Sequence, residues 1–382
     1  MSAEQPLPYV RAHGTPFEVG VQHGAARGAA LRAFLADSLC RLNRVMTAPV
    51  SMAELAPMIS DYSGEIEAAT PDLAQEIRGL AHGAGISPHE ALLLQLRREV
   101  MGYQKIPTLG GCTAYARAGQ PAGGMPVLAQ TIDLNGNLDD QITVLEAGYK
   151  GSGRRTLLLS FAGLLGFAGL NSDGLAAGIN LVLGGDWHPG LPPYLAVRHL
   201  LNTAASVAEA VAILRSLPLA SSRSILLCDA GQSCYVEVLG SDVRAVTAPE
   251  TVHTNHYLHP DLAPRDEVNV FSRNFSAERL AACQRRLASI PPGSGVEDYF
   301  GLLCEPPICV PDTGDIRRDR TVATVVMLPA AGQLHVRPGD PSRTSTQSFS
   351  LDEPAPGRTT VGDGEPPASR PAATEPMERA DA

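Results

Sequence analysis

The stretch IPTLGGCTAY, residues 106–115, is where the character of the sequence changes. Before it, apolar residues recur at helical spacing over most of the first 100 positions. After it, short strand-like runs alternate with Gly, Asn and Asp, which favour turns. One cysteine, Cys112, lies between the glycine-rich breaker and the first strand-like run. The sequence therefore predicts a helical first part and a strand-rich second part, with a thiol at their boundary.

The helical part contains recognisable helix boundaries. Ser87-Pro88-His89-Glu90 has the pattern of a capping box and predicts a helix over residues 91–100. Pro71-Asp72 is a predicted helix start, with Gly83 and Gly85 as the stop. The remaining predictions for this part are helices over residues 17–46 and 52–60, after a lead-in strand or loop over residues 1–12.

The strand-rich part has the turn signals of an antiparallel sheet. Residues 142–148 and 155–160 flank the turn sequence YKGSG and predict a hairpin. Further strands are predicted over residues 127–131, 176–183, 224–229, 234–239, 243–247, 321–328 and 333–337, and helices over residues 193–215 and 276–289. This order favours an α+β layered sandwich over regular βαβ winding. Residues 352–382 are rich in Pro, Glu and Ala and are predicted to be a disordered tail.

Composition excludes some classes of protein. The 382 residues carry a formal net charge of −10, which argues against nucleic-acid binding, because phosphate contacts need clustered Lys and Arg. Seven cysteines at irregular spacing predict neither a disulfide framework nor a Cys-x-x-Cys metal site. The N-terminal residues do not resemble a secretory signal, and no apolar run reaches the ~20 residues of a membrane helix. We therefore expect a cytoplasmic protein with free thiols and no membrane partner.

Cys112 has two interpretations on local pattern alone. It is either a buried cysteine at the start of a strand or a nucleophile. The second interpretation has a mechanism, because Gly111 adds little bulk and lets the backbone adopt a strained geometry. The thiol would attack the Gly111 carbonyl, water would release the resulting thioester, and the chain would then begin at Cys112. Its new α-amine has an ordinary pKa of roughly 7.7–8 and suits a base for the thiol.

A resemblance to a known family favours the nucleophile. In chain order, the motifs are GTPFEVG with QHG near the N-terminus, IRGLA, GCT, AQTID, LNSDGLA, VHTNH, and DRT with TVVM (residues 14–24, 77–81, 111–113, 129–133, 170–176, 252–256 and 319–327). Together they resemble the acyl-coenzyme A:6-aminopenicillanate acyltransferase family, peptidase family C45, of the N-terminal-nucleophile hydrolases. The matches span roughly residues 9–340.

The resemblance implies a fold and a processed zymogen. The fold would be a four-layer αββα sandwich. Self-cleavage would separate an α chain, residues 1–111, from a β chain whose catalytic sandwich covers residues 112–351, and the two chains would stay associated. The substrate would be a small amide or an acyl-CoA, with no cofactor and no metal.

The resemblance also implies roles for four residues. Cys112 would be the autoproteolytic residue and later the thiol nucleophile. Asp133 would orient the α-amine or hold its ammonium form, Asn255 would donate to the oxyanion, and Arg320 would favour thiolate and anionic intermediates. The sequence departs from the family pattern at Thr131, where the family has Asn, so a penicillin-type substrate is not implied.

Structural interpretations of the same residues stay open on sequence alone. Asp133 suits a turn, Asn255 suits a backbone cap, and Arg320 suits a surface cluster. The apolar run over residues 161–185 suits either the core or an acyl pocket. At the level of function, the alternatives are an amidase of the bile-salt and penicillin V hydrolase type and a non-enzymatic binding protein on the same fold.

Overall fold

The structure is a computed structural model and describes residues 6–102, 111–119 and 124–351. The predicted disordered tail and most of the breaker-rich loop before Gly111 lie outside the described residues. Five helices precede the cysteine: α1 (Pro16–Ala36), α2 (Leu42–Val45), α3 (Met52–Ala69), α4 (Pro71–Ala84) and α5 (Pro88–Met101). Three of them begin with a capping box, in which Thr15, Ser51 and Ser87 pair with Glu18, Glu54 and Glu90.

The single helix predicted over residues 17–46 is wrong. α1 ends at Ala36, and the residues from Ser38 to Arg41 all have positive φ. This irregular turn buries Cys40 completely and lets Arg41 donate to the carbonyls of Gly136 and Asn137. Tertiary contacts therefore override the helical pattern at this point.

Fourteen strands of the described residues form two sheets. An eight-stranded sheet A has the order β1-β4-β5-β6-β7-β8-β9-β10, and a six-stranded sheet B has the order β11-β2-β3-β12-β13-β14. Only the β1–β4 pair is parallel among the described pairings. The bounds are β1 (Tyr9–Gly14), β2 (Ala114–Arg117), β3 (Val127–Leu134), β4 (Ile142–Tyr149), β5 (Arg155–Phe161), β6 (Ala168–Asn171), β7 (Ala176–Leu181), β8 (Arg223–Cys228), β9 (Ser233–Leu239), β10 (Asp242–Ala248), β11 (Glu250–His253), β12 (Arg320–Leu328), β13 (Gln333–Pro338) and β14 (Gln347–Ser350).

Helices cover the outer faces of both sheets. The helical prediction over residues 193–215 corresponds to two helices, α6 (Pro193–Thr203) and α7 (Val207–Leu214), and α6 packs on β5, β6 and β7 of sheet A. The remaining helices, α8 (Val270–Ala288) and α9 (Val296–Leu303), contact β11, β3 and β12 of sheet B. Strands β2 and β3 contact β7 and β8, so the sheets face each other. The predicted α+β sandwich of four layers is confirmed.

Gln130 links the two sheets in the buried interface. From β3 its side chain accepts from the backbone N–H of Ile179 on β7 (3.1 Å) and donates to the carbonyl of the same residue (2.6 Å). Gly178 leaves the space for this contact, since a Cβ there would lie 2.5 Å from the Gln130 oxygen. The sheets are thereby fixed in relative position next to the start of β2, where Ala114 pairs with Gln130. Among the described residues, no helix is long and apolar enough to cross a membrane.

Helices α1 and α4 pack backbone against backbone. A Cβ at Gly20 would lie 2.0 Å from the Glu76 carbonyl, and one at Gly83 would lie 2.1 Å from the Val21 carbonyl. Gly83 is therefore a packing residue inside α4, not the predicted helix stop, and Gly85 with φ +64° caps the helix.

Gly83→Ala is expected to lower the free energy of unfolding by about 1–3 kcal/mol, because the new methyl group forces the helices apart. Gly64→Ala in α3 is the control: the site is open, so alanine is expected to stabilise by about 0.5–1 kcal/mol through helix propensity. Urea denaturation of both variants measures the difference. Equal stability of the two variants would contradict the packing argument.

Candidate active site

Cys112 lies immediately before β2, in the interface between the two sheets. Its side chain is buried, and Sγ accepts a hydrogen bond from the backbone N–H of Asp133 at 3.4 Å. The next residue is held from both sides, since Thr113 N–H donates to Thr131 Oγ1 (3.0 Å) and Thr131 N–H donates to the Thr113 carbonyl (2.9 Å). Thr131, the departure from the family pattern, thus fixes the segment that carries the nucleophile.

Asp133 lies on β3 beside the thiol. One carboxylate oxygen accepts from Thr321 Oγ1 at 2.7 Å, and the other is buried without a partner among the described residues. Burial raises the pKa of Asp133 to about 7, although the Thr321 hydroxyl and the Arg279 cation favour the charged form. The carboxyl therefore exchanges a proton near neutral pH, which suits general acid–base chemistry.

The thiol is strongly protonated in the uncut chain. Burial raises the pKa of Cys112 to about 12, and the nearby Asp133 carboxyl contributes further in the same direction. A thiol of this kind is a poor nucleophile unless a base removes its proton during attack. The Cys112 thiol and the Asp133 carboxyl therefore lie side by side, and the thiol stays protonated.

Asn255 lies against the bond that precedes Cys112. A Cβ on Gly111 would lie 2.2 Å from the side-chain oxygen of Asn255, so only glycine fits at position 111. The Asn255 amide nitrogen donates to the Leu181 carbonyl at 2.8 Å. The Asn255 side chain therefore lies close to the Gly111 backbone, with its oxygen nearer than its nitrogen.

A buried pair, His253 and Glu237, holds the loop that carries Asn255. The ring of His253 contacts Glu237 at 2.8 Å through Nε2 and the Thr254 carbonyl at 2.8 Å through Nδ1. The His253 ring thus links Glu237 on β9 to the backbone of the loop. Glu237 also accepts from the backbone N–H groups of Leu258 and His259. The ring of His253 therefore serves the structure of this loop.

Arg279 is the residue that sequence analysis missed. From α8 its buried guanidinium donates to the Cys112 carbonyl, to Thr113 Oγ1 and to the side-chain oxygen of Asn255, each at 2.9 Å. Asn180 Nδ2 donates to the same Cys112 carbonyl, also at 2.9 Å. The helix was predicted as an arginine-rich amphipathic segment, and nothing in its pattern distinguishes Arg279 from its exposed neighbours.

Arg320 does not join the other three predicted residues. Its guanidinium pairs with Asp139 (2.5 Å) and Asp312 (3.4 Å). Successive side chains of a strand point to opposite faces, so Thr321 reaches Asp133 while Arg320 points away. The structure thus places Arg320 apart from Cys112, and the arginine in contact with the Cys112 residue is Arg279.

A cavity of about 100 Å³, partly open to solvent, contains Cys112 in its wall. Around the thiol the wall is polar, with Asp133, Asn255 and Arg279, while much of the rest is apolar. The apolar wall includes Phe34, Leu94, Met101, Leu138, Phe161, Leu164, Phe167, Ile179, Leu181 and Leu183. The run over residues 161–185 thus contributes both to the core and to this wall. Such a cavity fits an apolar acyl chain whose carbonyl end meets the thiol.

Comparison with known proteins finds related sequences and folds. Residues 121–343 match the model of the family described as acyl-coenzyme A:6-aminopenicillanic acid acyl-transferase. A 40 kDa form of acyl-coenzyme A:6-aminopenicillanic-acid-acyltransferase from Emericella nidulans is 27% identical over 361 residues, which cover 90% of this chain and 96% of the relative.

Two solved structures share a more distant likeness. The N-acylethanolamine-hydrolyzing acid amidase orthologue of Caenorhabditis elegans is 16% identical, with a TM-score of 0.43, 57% of this chain and 93% of that chain covered. Penicillin V acylase of Agrobacterium tumefaciens is 15% identical, with a TM-score of 0.42, 63% of this chain and 86% of that chain covered.

The raised pKa of Asp133 predicts a pH-dependent stability. Its uncharged form is favoured in the folded state, so the contribution is complete below the ordinary value of 3.8 and is lost as pH rises through about 7. In a Cys112→Ala background, which removes the shifted thiol, Asp133→Asn is expected to flatten the fall in unfolding free energy between pH 4 and 7 by on the order of 1–4 kcal/mol.

Urea denaturation at each pH tests this expectation. Asp319, whose pKa burial raises to about 6, acts in the same direction and leaves a residual slope. Parallel stability curves for the parent and Asp133→Asn would show that Asp133 does not titrate near neutral pH.

Proposed function

The chain belongs to the acyl-coenzyme A:6-aminopenicillanic acid acyl-transferase family, and from this premise we propose an enzyme that cuts its own Gly111–Cys112 bond and then transfers acyl groups through a thioester on Cys112. The family predicted from the motifs is confirmed, and the enzyme is favoured over a non-enzymatic binding protein. The observation that carries the proposal is the juxtaposition of the Cys112 thiol, the Asp133 carboxyl and the Asn255 amide at the Gly111 backbone.

Self-cleavage follows from this juxtaposition. Cys112 Sγ attacks the Gly111 carbonyl carbon, its proton leaves for a base, and the C–N bond breaks as the nitrogen gains a proton. The product is a thioester between Gly111 and Cys112 with a free α-amine. Water then attacks the thioester, which releases the Gly111 carboxylate and restores the thiol.

Asp133 is the group suited to carry the proton in this first step. Its pKa of about 7 lets it accept the thiol proton and return a proton to the leaving nitrogen. A backbone hydrogen bond from Gly111 to the carboxyl supports this position beside the bond that breaks. After cleavage the same carboxyl would hold the new α-amine, which becomes the base for later cycles.

The nucleophile stays in place after the bond is cut. Asn180 and Arg279 both hold the Cys112 carbonyl, which belongs to the side of the residue that remains attached. The new terminus is thus fixed by contacts that self-cleavage does not remove. Positioning of this kind lowers the entropic cost of the later reactions.

The working reaction uses the same atoms on a substrate carbonyl. The thiolate attacks the acyl carbon, the oxyanion forms near Asn255, and the amine or thiol leaves with a proton to give an acyl-thioester. Attack by water gives hydrolysis, and attack by an amine gives acyl transfer. The apolar wall of the cavity supports an acyl chain, and the substrates proposed for this chain are small amides or acyl-CoA.

The two products of self-cleavage are proposed to remain together as an α chain, residues 1–111, and a β chain, residues 112–382. One buried apolar cluster contains residues of α1, α3, α4 and α5 together with residues of both sheets. Cutting one loop does not remove this shared core. We also propose a cytoplasmic location, which the seven free cysteines support, since free thiols suit a reducing compartment.

Wild-type protein is expected to separate under denaturing conditions into two fragments, the second with a new N-terminus at Cys112, whereas Cys112→Ala stays whole. The alanine removes the attacking sulfur without adding bulk. Intact-mass spectrometry measures both. Cys283→Ala, at a buried thiol outside the site, is the matched control and is expected to be cut. A folded wild-type chain that remains uncut would overturn the self-processing proposal.

Arg279 is expected to be a positioning residue for both reactions. Arg279→Met removes three donors and is expected to slow self-cleavage and the kcat of acyl transfer by about 100-fold, the magnitude typical of a lost preorganised donor. Arg279→Lys keeps one charged donor and should recover part of the rate, with KM for the acyl donor little changed.

Arg285→Met, on the exposed side of the same helix, is the control for this experiment. Its rates are expected to equal those of the wild type. A loss at Arg279 that appears only in KM, or that lysine does not reduce, would mean that the residue supports folding or binding instead.

A further inference from the structure

Two side chains with hydrogen-bond donors, one on α5 and one on α6, lie in the wall of the cavity. The guanidinium of Arg98 on α5 and the phenol of Tyr194 on α6 both line the cavity that contains Cys112. Neither makes a hydrogen bond or an ion pair with another described residue, although the Arg98 guanidinium lies 5.8 Å from the centre of the Trp187 ring. The Tyr194 ring stacks on Phe167 at 5.0 Å. Their positions are therefore fixed by aromatic contacts while their donors are left available.

Neighbouring arginines are engaged by the protein. Arg223 forms an ion pair with Glu99 at 3.5 Å and donates to the Ser222 carbonyl at 2.6 Å. Arg279 has three hydrogen-bond partners at the nucleophile. Arg98 differs because it is part-buried and has no partner at hydrogen-bond distance in the part of the chain that the structure describes. An incompletely solvated cation of this kind costs free energy unless an anion pairs with it.

The charge of the cavity favours an anion. Its described lining contains four arginines, Arg97, Arg98, Arg223 and Arg279, but only two carboxyls, Asp133 and Asp319. Burial raises the pKa of these carboxyls to about 7 and about 6, so their negative charge is incomplete near neutral pH. Burial and the nearby Arg223 cation lower the pKa of Arg98, while Tyr194, Asp319 and Glu99 act in the opposite direction without reversing the shift. A bound anion would relieve this repulsion.

The chemistry of the pair is that of a carboxylate site. A guanidinium presents planar N–H donors that match two carboxylate oxygens, and a phenol adds one O–H donor. Tyr194 lies within electrostatic range of both Arg98 and the Cys112 thiol. A ligand held by the pair would thus lie close to the acyl group that reacts.

We propose that Arg98 and Tyr194 form a subsite for a carboxylate carried by the substrate of Cys112. This inference rests on the proposed function and extends it to substrate class. The carboxylate has two possible sources, the acyl component or the amine component, and both present the same group to Arg98. The subsite makes the enzyme selective for acidic substrates over neutral compounds of the same shape.

Paired inhibitors test the subsite with the self-processed enzyme. The rate of Cys112 acylation by the neutral ester 4-nitrophenyl hexanoate is followed by nitrophenol release. N-hexanoylglycine and N-hexanoylglycinamide compete in one arm, with the carboxylate on the amine side. Adipic acid monobenzylamide and its methyl ester compete in the other arm, with the carboxylate on the acyl side. The readout is the ratio of the inhibition constants within each pair.

In at least one arm the acid is expected to inhibit wild type about 10–100-fold more strongly than its neutral twin, as for a charged hydrogen bond. The arm with the larger ratio identifies the component that carries the carboxylate. Arg98→Gln should abolish the ratio, and Tyr194→Phe should reduce it. Because each ratio is taken within one variant, a change in overall acylation rate does not affect it.

Arg78→Gln, at an exposed arginine paired with Glu67, is the charge-matched control and should keep the wild-type ratio. Ratios near one in both arms for wild type, or a ratio that survives both Arg98→Gln and Tyr194→Phe, would overturn the subsite while leaving the acylation chemistry intact. A wild-type chain that neither cuts itself nor reacts with the ester would overturn the proposed function itself, and the subsite with it.

Discussion

The guanidinium of Arg279 joins three parts of the chain that are distant in sequence. It holds the carbonyl of Cys112, the hydroxyl of Thr113 and the amide oxygen of Asn255 from a helix on the outer face of sheet B. Because the group is planar and always charged, its donors fix the relative directions of all three acceptors. Asn255 then presses against Gly111 so closely that a side chain there has no space. This one buried cation therefore couples the position of Asn255 to that of the Cys112 carbonyl.

Desolvation shifts the pKa values of both Asp133 and Cys112, with opposite consequences for their reactivity. The same burial that raises the pKa of Asp133 to about 7 also raises the pKa of Cys112 to about 12. The uncut chain thus has a proton carrier at neutral pH and a thiol that is inert without it. Cleavage would add an α-amine beside the thiol, a base that the precursor lacks. On the proposed mechanism, self-cleavage would therefore precede substrate chemistry.

Local signals predicted much of the fold. A capping-box pattern predicted α5, and turn residues predicted the β4–β5 hairpin. Strand-like runs predicted the β8–β9–β10 meander. The wrong predictions concern positions where tertiary contacts determine the backbone conformation. The first helix ends early because Arg41 reaches carbonyls about a hundred positions away, and Gly83 lies inside a helix because α1 packs on its backbone. Neither cause has a local sequence signature.

The candidate site shows the same limit. Motif resemblance brought Cys112, Asp133 and Asn255 together, and the structure does place them around one bond. The motif resemblance also grouped Arg320 with the nucleophile. In the structure, side-chain alternation at the start of β12 turns Arg320 away, while its neighbour Thr321 faces Asp133. Arg279 could not be recognised, since an arginine on an arginine-rich helix looks like a solvated charge until the sheet that it contacts is known.

The residues around the cavity come from both sides of the Gly111–Cys112 bond. The nucleophile, Asp133, Asn255 and Arg279 all belong to the part of the chain from Cys112 onward, whereas Arg98 and the apolar residues Phe34, Leu94 and Met101 belong to the part before it. The second part therefore contains the polar groups around the thiol and most of the apolar wall, and the first part completes that wall. The buried core is shared by both parts. On the proposed mechanism, the cut would free the amine of Cys112 and leave this shared core and the wall of the cavity intact.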